Sequence, residues 1–133
     1  FFCAQAAVKS MIKAKNSGCV INLASQAIRG NAPNSIHYTT SKSGIVGMTR
    51  AMALEMAPHN IRINSIAPGL TDTAQPRYGN SEKDIQKMSQ EIPLKRLIQP
   101  EEIADMAVFL CSEKAAMVTG QTYHVNGGTY SPG

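Results

Sequence analysis

Three short runs constrain this chain more than any other feature. They are CVINLAS at residues 19–25, IRINSIAPG at 61–69 and QTYHVNGG at 121–128. The first is apolar and rich in β-branched residues, the pattern of a strand buried on both faces. The second alternates and then stops at Pro68 and Gly69, which reads as a strand ending in a turn. The third reads as a last strand entering a Gly-Gly turn. Longer segments with a helical period separate them. From residue 35 to residue 57 no proline intervenes, and Ile45, Met48, Met52 and Met56 fall three to four apart. This spacing predicts a long amphipathic helix that ends near Pro58. Its methionine stripe suits core packing or a subunit interface. Gly44 and Gly47 cost such a helix about 1 kcal/mol each relative to alanine, and small residues there allow another backbone to approach closely.

The flanking segments follow the same logic. In FFCAQAAVKSMIKAKNSG, the apolar residues Phe2, Ala6, Met11 and Ile12 suggest a helix closed by Asn-Ser-Gly. Gly30, Asn31, Pro33 and Asn34 predict a loop after the first strand. A short helix over residues 81–90 is expected, capped by Ser81, with Glu82 and Asp84 in its first turn and Pro93 as its breaker. In QPEEIADMAVFLCSE, Pro100 takes a first helical position and two glutamates lie at the positive helix end. The order helix, strand, helix, strand, helix, strand predicts an α/β fold, a parallel sheet covered by helices. The first helix lacks both an initiator methionine and an N-cap, so the chain is expected to be a fragment of a longer protein.

The composition narrows the function. With 133 residues, 43% of them apolar and 17% charged, the chain suits one globular domain. No run of eighteen apolar residues exists, so no membrane-spanning helix is predicted. The net charge of +4 is mild. Lys9, Lys13 and Lys15 read as a solvated face, with no interleaved aromatic rings to stack on bases. The scattered Cys3, Cys19 and Cys111 have no metal-ligand spacing and no even count, which predicts reduced, buried thiols in a cytoplasmic protein. His37, His59 and His124 are equally dispersed.

In open α/β sheets, ligands sit beyond the carboxyl ends of the strands. Ser25 closes the first strand, while Pro68, Gly69, Thr71 and Thr73 follow the second. Tyr38 and Lys42, in the stretch YTTSK, lie near the start of the intervening helix. As positions i and i+4 they share one helix face. A free phenol titrates at about pH 10, too high for efficient proton exchange at neutral pH. A neighbouring cation favours the phenolate, and desolvation opposes it. With the Ser25 hydroxyl to hold a carbonyl or alcohol oxygen, the set predicts a proton relay that uses no metal. Each element is weak alone; their order on these elements carries the reading.

These residues resemble the short-chain dehydrogenase/reductase family. The likeness covers essentially the whole chain and rests on the serine of INLAS, on YTTSK thirteen residues later, and on NSIAPGLTDT, QPEEIADMAVFL and VTGQTYHVNGG. Extended relatives such as sugar-nucleotide epimerases share the tyrosine and lysine but not the closing pattern. The resemblance implies the C-terminal part of a Rossmann-like, doubly wound parallel sheet, with residues 1–133 belonging to one NAD(P)-binding domain whose Gly-rich half is absent. It implies Tyr38 as general acid/base, Lys42 as its activator and holder of the nicotinamide ribose, and Ser25 as the group that orients the substrate oxygen. It implies cofactor contacts from Tyr38, Lys42, Pro68, Gly69, Leu70, Thr71 and Thr73. Asn64 would tie neighbouring strands, and the segment from Asp72 to Pro93 would cover the substrate. The long helix would pack on its copy in a homodimer or homotetramer.

The implied activity is hydride transfer between NAD or NADP and an alcohol or ketone. 3-Oxoacyl carrier-protein reductases, sugar or polyol dehydrogenases and secondary-alcohol dehydrogenases all fit that class. The alternative is a catalytically silent relative serving as a binding or structural subunit. The family's Gly-rich phosphate loop and a helix asparagine lie outside this sequence, so these residues alone are expected to be inactive and poorly folded.

Overall fold

The three apolar runs become one parallel sheet in the order β1-β2-β3. The computed structural model describes residues 1–30 and 33–131. Its strands are β1 (Gly18–Leu23), β2 (Ile61–Pro68) and β3 (Thr122–Val125). The register runs from Gly18 opposite Ile61 to Leu23 opposite Ile66, and from Ser65 opposite Thr122 to Pro68 opposite Val125. The helices are α1 (Phe2–Lys13), α2 (Ile36–Met56), α3 (Glu82–Glu91) and α4 (Pro100–Cys111). The expected alternation therefore holds, with two helices rather than one between β2 and β3. Asn31, expected in the loop after β1, lies outside the described residues.

β2 is central, and burial follows from that position. Ile63, Ile66, Ala67, Asn64 and Ser65 are fully buried. On one face Ile61 and Ile63 meet Ala4 and Val8 of α1 and Met52 and Ala53 of α2, with Met48 and Met56 packed beside them. The methionine stripe is thus core. Asn64 is satisfied across the sheet: its Nδ2 donates to Val118 O at 2.8 Å, and its Oδ1 accepts from Gln121 N at 3.1 Å. It ties β2 to the segment that leads into β3.

Three expectations need correction. α1 buries Ala4 and Val8, with Met11 and Ile12 beside them, while Phe2 is 79% exposed and Ala6 also faces out. At about 100° per residue, positions 4, 8, 11 and 12 share one arc of the helix and positions 2 and 6 fall opposite it. β1 is not buried on both faces. It pairs only with β2, and Leu23 at its end is 54% exposed. The cysteines are free, but Cys3 and Cys111 are exposed and only Cys19 is half-buried. Gly44 and Gly47 lie open: among the described residues, nothing outside the helix's own backbone stands within 4 Å of where a Cβ would be.

The ends of the elements show why they begin and stop where they do. Ser81 caps α3, its Oγ accepting from Asp84 N at 3.2 Å while its own N donates to Asp84 Oδ2 at 3.0 Å. Pro100 opens α4, where Gln99 N donates to Glu102 Oε2 at 2.8 Å. Arg96 grips the same carboxylate at both oxygens, at 2.6 and 2.7 Å. At the end of β2, Gly69 N donates to Val125 O at 2.8 Å. A Cβ there would stand 2.9 Å from the Asn126 Cα and from Ile98 Cδ1. Glycine is required at this position because the two backbones approach so closely.

Two outcomes follow. Gly69→Ala should destabilise the fold by about 1–3 kcal/mol, the usual cost of overpacking, as measured by denaturant midpoint. The second concerns Glu102. The Arg96 guanidinium, then the Gln99 N–H, hold its carboxyl down from 4.5 to about 2. A depressed carboxylate contributes stability above its unfolded value and loses it as pH falls through the folded value. The stability gap between the native chain and Glu102→Gln should therefore be present at neutral pH and close between pH 4.5 and about 2. High salt should shrink it, since the pair is solvent-exposed.

Candidate active site

The carboxyl ends of β1 and β2 open onto one cavity of about 560 Å³. Its walls include Ser25, Tyr38, Lys42, Pro68, Gly69, Leu70, Thr71 and Thr73. All eight residues singled out from the sequence thus line a single crevice, and local structure explains how each arrives there.

Ser25 follows β1 and caps a short 3₁₀ turn, Gln26–Arg29, where its Oγ accepts from Ala27 N at 3.2 Å. That bond uses an oxygen lone pair and leaves the hydroxyl proton available for donation. The backbone before it is fixed by Ala24 N donating to Ile66 O at 2.8 Å. Tyr38 is the third residue of α2 and Lys42 lies one turn on. The first turn of α2 is tied to the serine-bearing turn by Thr39 Oγ1, which donates to Ala27 O at 3.2 Å. The Lys42 ammonium donates to Leu23 O at 2.9 Å and stands 5.8 Å from the centre of the Tyr38 ring. Lys42 therefore bridges the end of β1 and the phenol.

The other wall follows β2. Thr71 Oγ1 donates back to Gly69 O at 3.1 Å. Thr71 also pairs in parallel with Ile98: Asp72 N donates to Ile98 O at 2.8 Å, and Ile98 N donates to Leu70 O at 3.1 Å. Beyond it, Arg77 Nη1 binds Asp72 Oδ1 at 2.7 Å and Thr73 O at 2.8 Å, while its Nε reaches Glu82 Oε1 at 2.7 Å. One guanidinium thus gathers the segment that closes the crevice on this side.

Sequence reasoning missed several lining residues. Gln26, Pro76, Pro100 and Ile103 also face the cavity. Among the described residues, the Gln26 Oε1 is buried without a hydrogen-bond partner. Its position beside Ser25 was the one available signal. Pro100 and Ile103 reach the cavity through the pairing of Thr71 with Ile98, which no local pattern announces.

With this geometry in view, likeness to known proteins can be weighed. The profile of the family described as Enoyl-(Acyl carrier protein) reductase matches residues 1–130. The chain is 39% identical over 131 residues to the 3-oxoacyl-[acyl-carrier-protein] reductase FabG of Aquifex aeolicus (strain VF5), covering 98% of this chain and 52% of that protein. It superposes on a short chain dehydrogenase from Bacillus anthracis str. 'Ames Ancestor' with a TM-score of 0.85 at 34% identity, over 97% of this chain and 51% of that one. On 4-hydroxyisoleucine dehydrogenase complexed with NADH the TM-score is 0.88 at 28% identity, over 100% of this chain and 55% of that one. The chain spans about half the length of the curated relatives it matches. A family profile that runs through nearly every residue, joined to this fold, means that the chain belongs to the short-chain dehydrogenase/reductase family.

Proposed function

We propose that the protein is an oxidoreductase that moves a hydride between a nicotinamide cofactor, NAD or NADP, and the carbon of an alcohol or ketone. The observation that carries this reading is the meeting of Ser25, Tyr38, Lys42 and residues 68–73 on one cavity at the carboxyl ends of β1 and β2. The donor set suits the nicotinamide half of such a cofactor: one ammonium and several hydroxyls around about 560 Å³. Lys42 would hold the ribose hydroxyls, and residues 68–73 would hold the nicotinamide side with Leu70 backbone groups and the Thr71 and Thr73 hydroxyls. The cofactor, when bound, supplies or accepts the hydride.

The chain's own residues handle the proton. Ser25 donates a hydrogen bond from its hydroxyl to the substrate oxygen, which fixes that oxygen's direction and keeps the proton on the serine. Tyr38 gives its phenolic proton to that oxygen in reduction and takes it back in oxidation. Lys42 holds its ammonium 5.8 Å from the centre of the Tyr38 ring. Its anchor on Leu23 O keeps the ammonium at the strand end.

The same reading makes this chain the C-terminal part of one nicotinamide-binding domain in a cytoplasmic protein. The exposed side of α2, with Ile36 and Leu54 each more than four-fifths exposed and open space at Gly44 and Gly47, supports packing of a second copy into a homodimer or homotetramer. Among substrates, 3-oxoacyl groups on carrier protein are the first to assay, because the Aquifex relative carries that name.

In the full-length protein, Tyr38→Phe should lower turnover by about 10²–10⁴-fold, with far-ultraviolet dichroism and melting temperature unchanged. Turnover that survives this change intact would remove Tyr38 from the proton step, whereas no turnover in the unaltered full-length protein would point to a silent binding subunit. The 133 residues alone should give no change in nicotinamide absorbance with any alcohol or ketone; turnover from them would overturn the single-domain reading.

A further inference from the structure

Cys19 and Cys111 lie away from the crevice. Cys19 is the second residue of β1, at the end opposite Leu23, and Cys111 is the last residue of α4. Cys19 pairs in register with Arg62. Both point away from the Val20 and Ile63 face, since neighbouring strand residues alternate. Their side chains converge on one carbonyl. Cys19 Sγ donates to Leu110 O at 3.5 Å, and Arg62 Nη1 donates to the same oxygen at 2.7 Å. Leu110 is the residue before Cys111. Both cysteines line a second cavity, of about 530 Å³, with Asn60, Arg62 and Glu113 also on its walls. Cys111 is exposed and Cys19 half-buried.

We propose that Cys19 and Cys111 form a reversible dithiol–disulfide pair, closed by peroxide-class oxidants and reopened by dithiols. Cys19 Sγ lies against the carbonyl of the residue before Cys111, and both cysteines line the same cavity. Burial, and then the neighbouring Cys111, push the Cys19 thiol up to about 11, against the opposing pull of Arg62. Cys19 is therefore the poorer first nucleophile, and the exposed Cys111 begins the reaction. Its thiolate attacks one peroxide oxygen and breaks the O–O bond. Cys111 becomes a sulfenic acid, and the second oxygen leaves as water after taking a proton. The Cys19 sulfur then attacks the Cys111 sulfur. The S–S bond forms, the S–O bond breaks, and the hydroxyl leaves as water with the Cys19 proton. Two thiols are oxidised and one hydrogen peroxide is reduced to two waters. The bridge ties the amino end of β1 to the carboxyl end of α4, whose opposite end carries Pro100 and Ile103 into the candidate active site. The proposal does not depend on the catalytic reading, and its test reads no turnover.

The test uses the full-length Cys3→Ser protein, treated with hydrogen peroxide, alkylated, and mapped by non-reducing proteolysis and mass spectrometry. The expected result is one intramolecular crosslinked peptide joining Cys19 to Cys111, about 2 Da lighter than the sum of its free thiol peptides, and lost on treatment with dithiothreitol. Cys19→Ser should leave Cys111 as a sulfenic acid trapped by dimedone, with no crosslink. Cys111→Ser, a change at an exposed site, should leave Cys19 as an unreacted thiol. Recovery of both cysteines as free thiols at peroxide levels that oxidise a surface cysteine overturns the proposal. So does a crosslink found only between two protein molecules.

Discussion

Everything in this molecule depends on β2 being paired on both edges and covered on both faces. Its residues 63–67 are buried without exception, and burial in a parallel sheet specifies register strongly, because a slip of one residue would turn Ile63 and Ile66 to the wrong faces. Asn64 adds a polar constraint. Its amide satisfies both the Val118 carbonyl and the Gln121 N–H, and either partner left unpaired in the interior would cost about 1–3 kcal/mol. With the register set, Leu23 stands beside Ile66 and Pro68 beside Val125. The residues just past those pairs, Ser25 and Gly69, are thereby brought to the same rim.

The helix that carries Tyr38 and Lys42 is then positioned by tethers to that rim. The i, i+4 spacing alone makes the two side chains neighbours; it does not say where they point. Direction comes from Thr39 on Ala27 O and Lys42 on Leu23 O. Each bond joins the start of α2 to backbone at or just beyond the end of β1. The ammonium thus donates to a structural carbonyl while it stands 5.8 Å from the centre of the phenol ring.

What could be read in the sequence, and what could not, divides by the range of the interaction involved. Ser81 and its capping partner Asp84, Pro100 at the start of α4, the proline stop after α2 and the Pro-Gly end of β2 are all decided within a few residues, and each was legible. The meeting of those eight residues on one crevice was legible too, because the ends of parallel strands and the first turn of the following helix are places that topology brings together. The inward face of α1 was misread because Phe2 is large and apolar, yet lies opposite the arc of Ala4 and Val8. The half-exposure of β1 follows from its edge position, which depends on pairing rather than pattern. Gln26, Pro100 and Ile103 were missed because the Thr71–Ile98 pairing and the packing of the turn after Ser25 join distant parts of the chain.

The crevice itself combines two kinds of wall. On the Ser25 and Tyr38 side the groups sit on a strand end and a helix of twenty-one residues, which hold side chains in fixed directions. On the other side the backbone leaves β2 at Gly69 and is held by a single bridge at Thr71 and by Arg77. Arg77 binds two carboxylates and a carbonyl at once; it is half-buried, while Asp72 and Glu82 reach solvent, so each ion pair contributes little to stability. Its role is geometric: it draws residues 72, 73 and 82 to one point without the burial that would lock them there. Ser25, Tyr38 and Lys42 thus rest on the end of a strand and on a long helix, while residues 69–77 rest on irregular backbone tied at a few points.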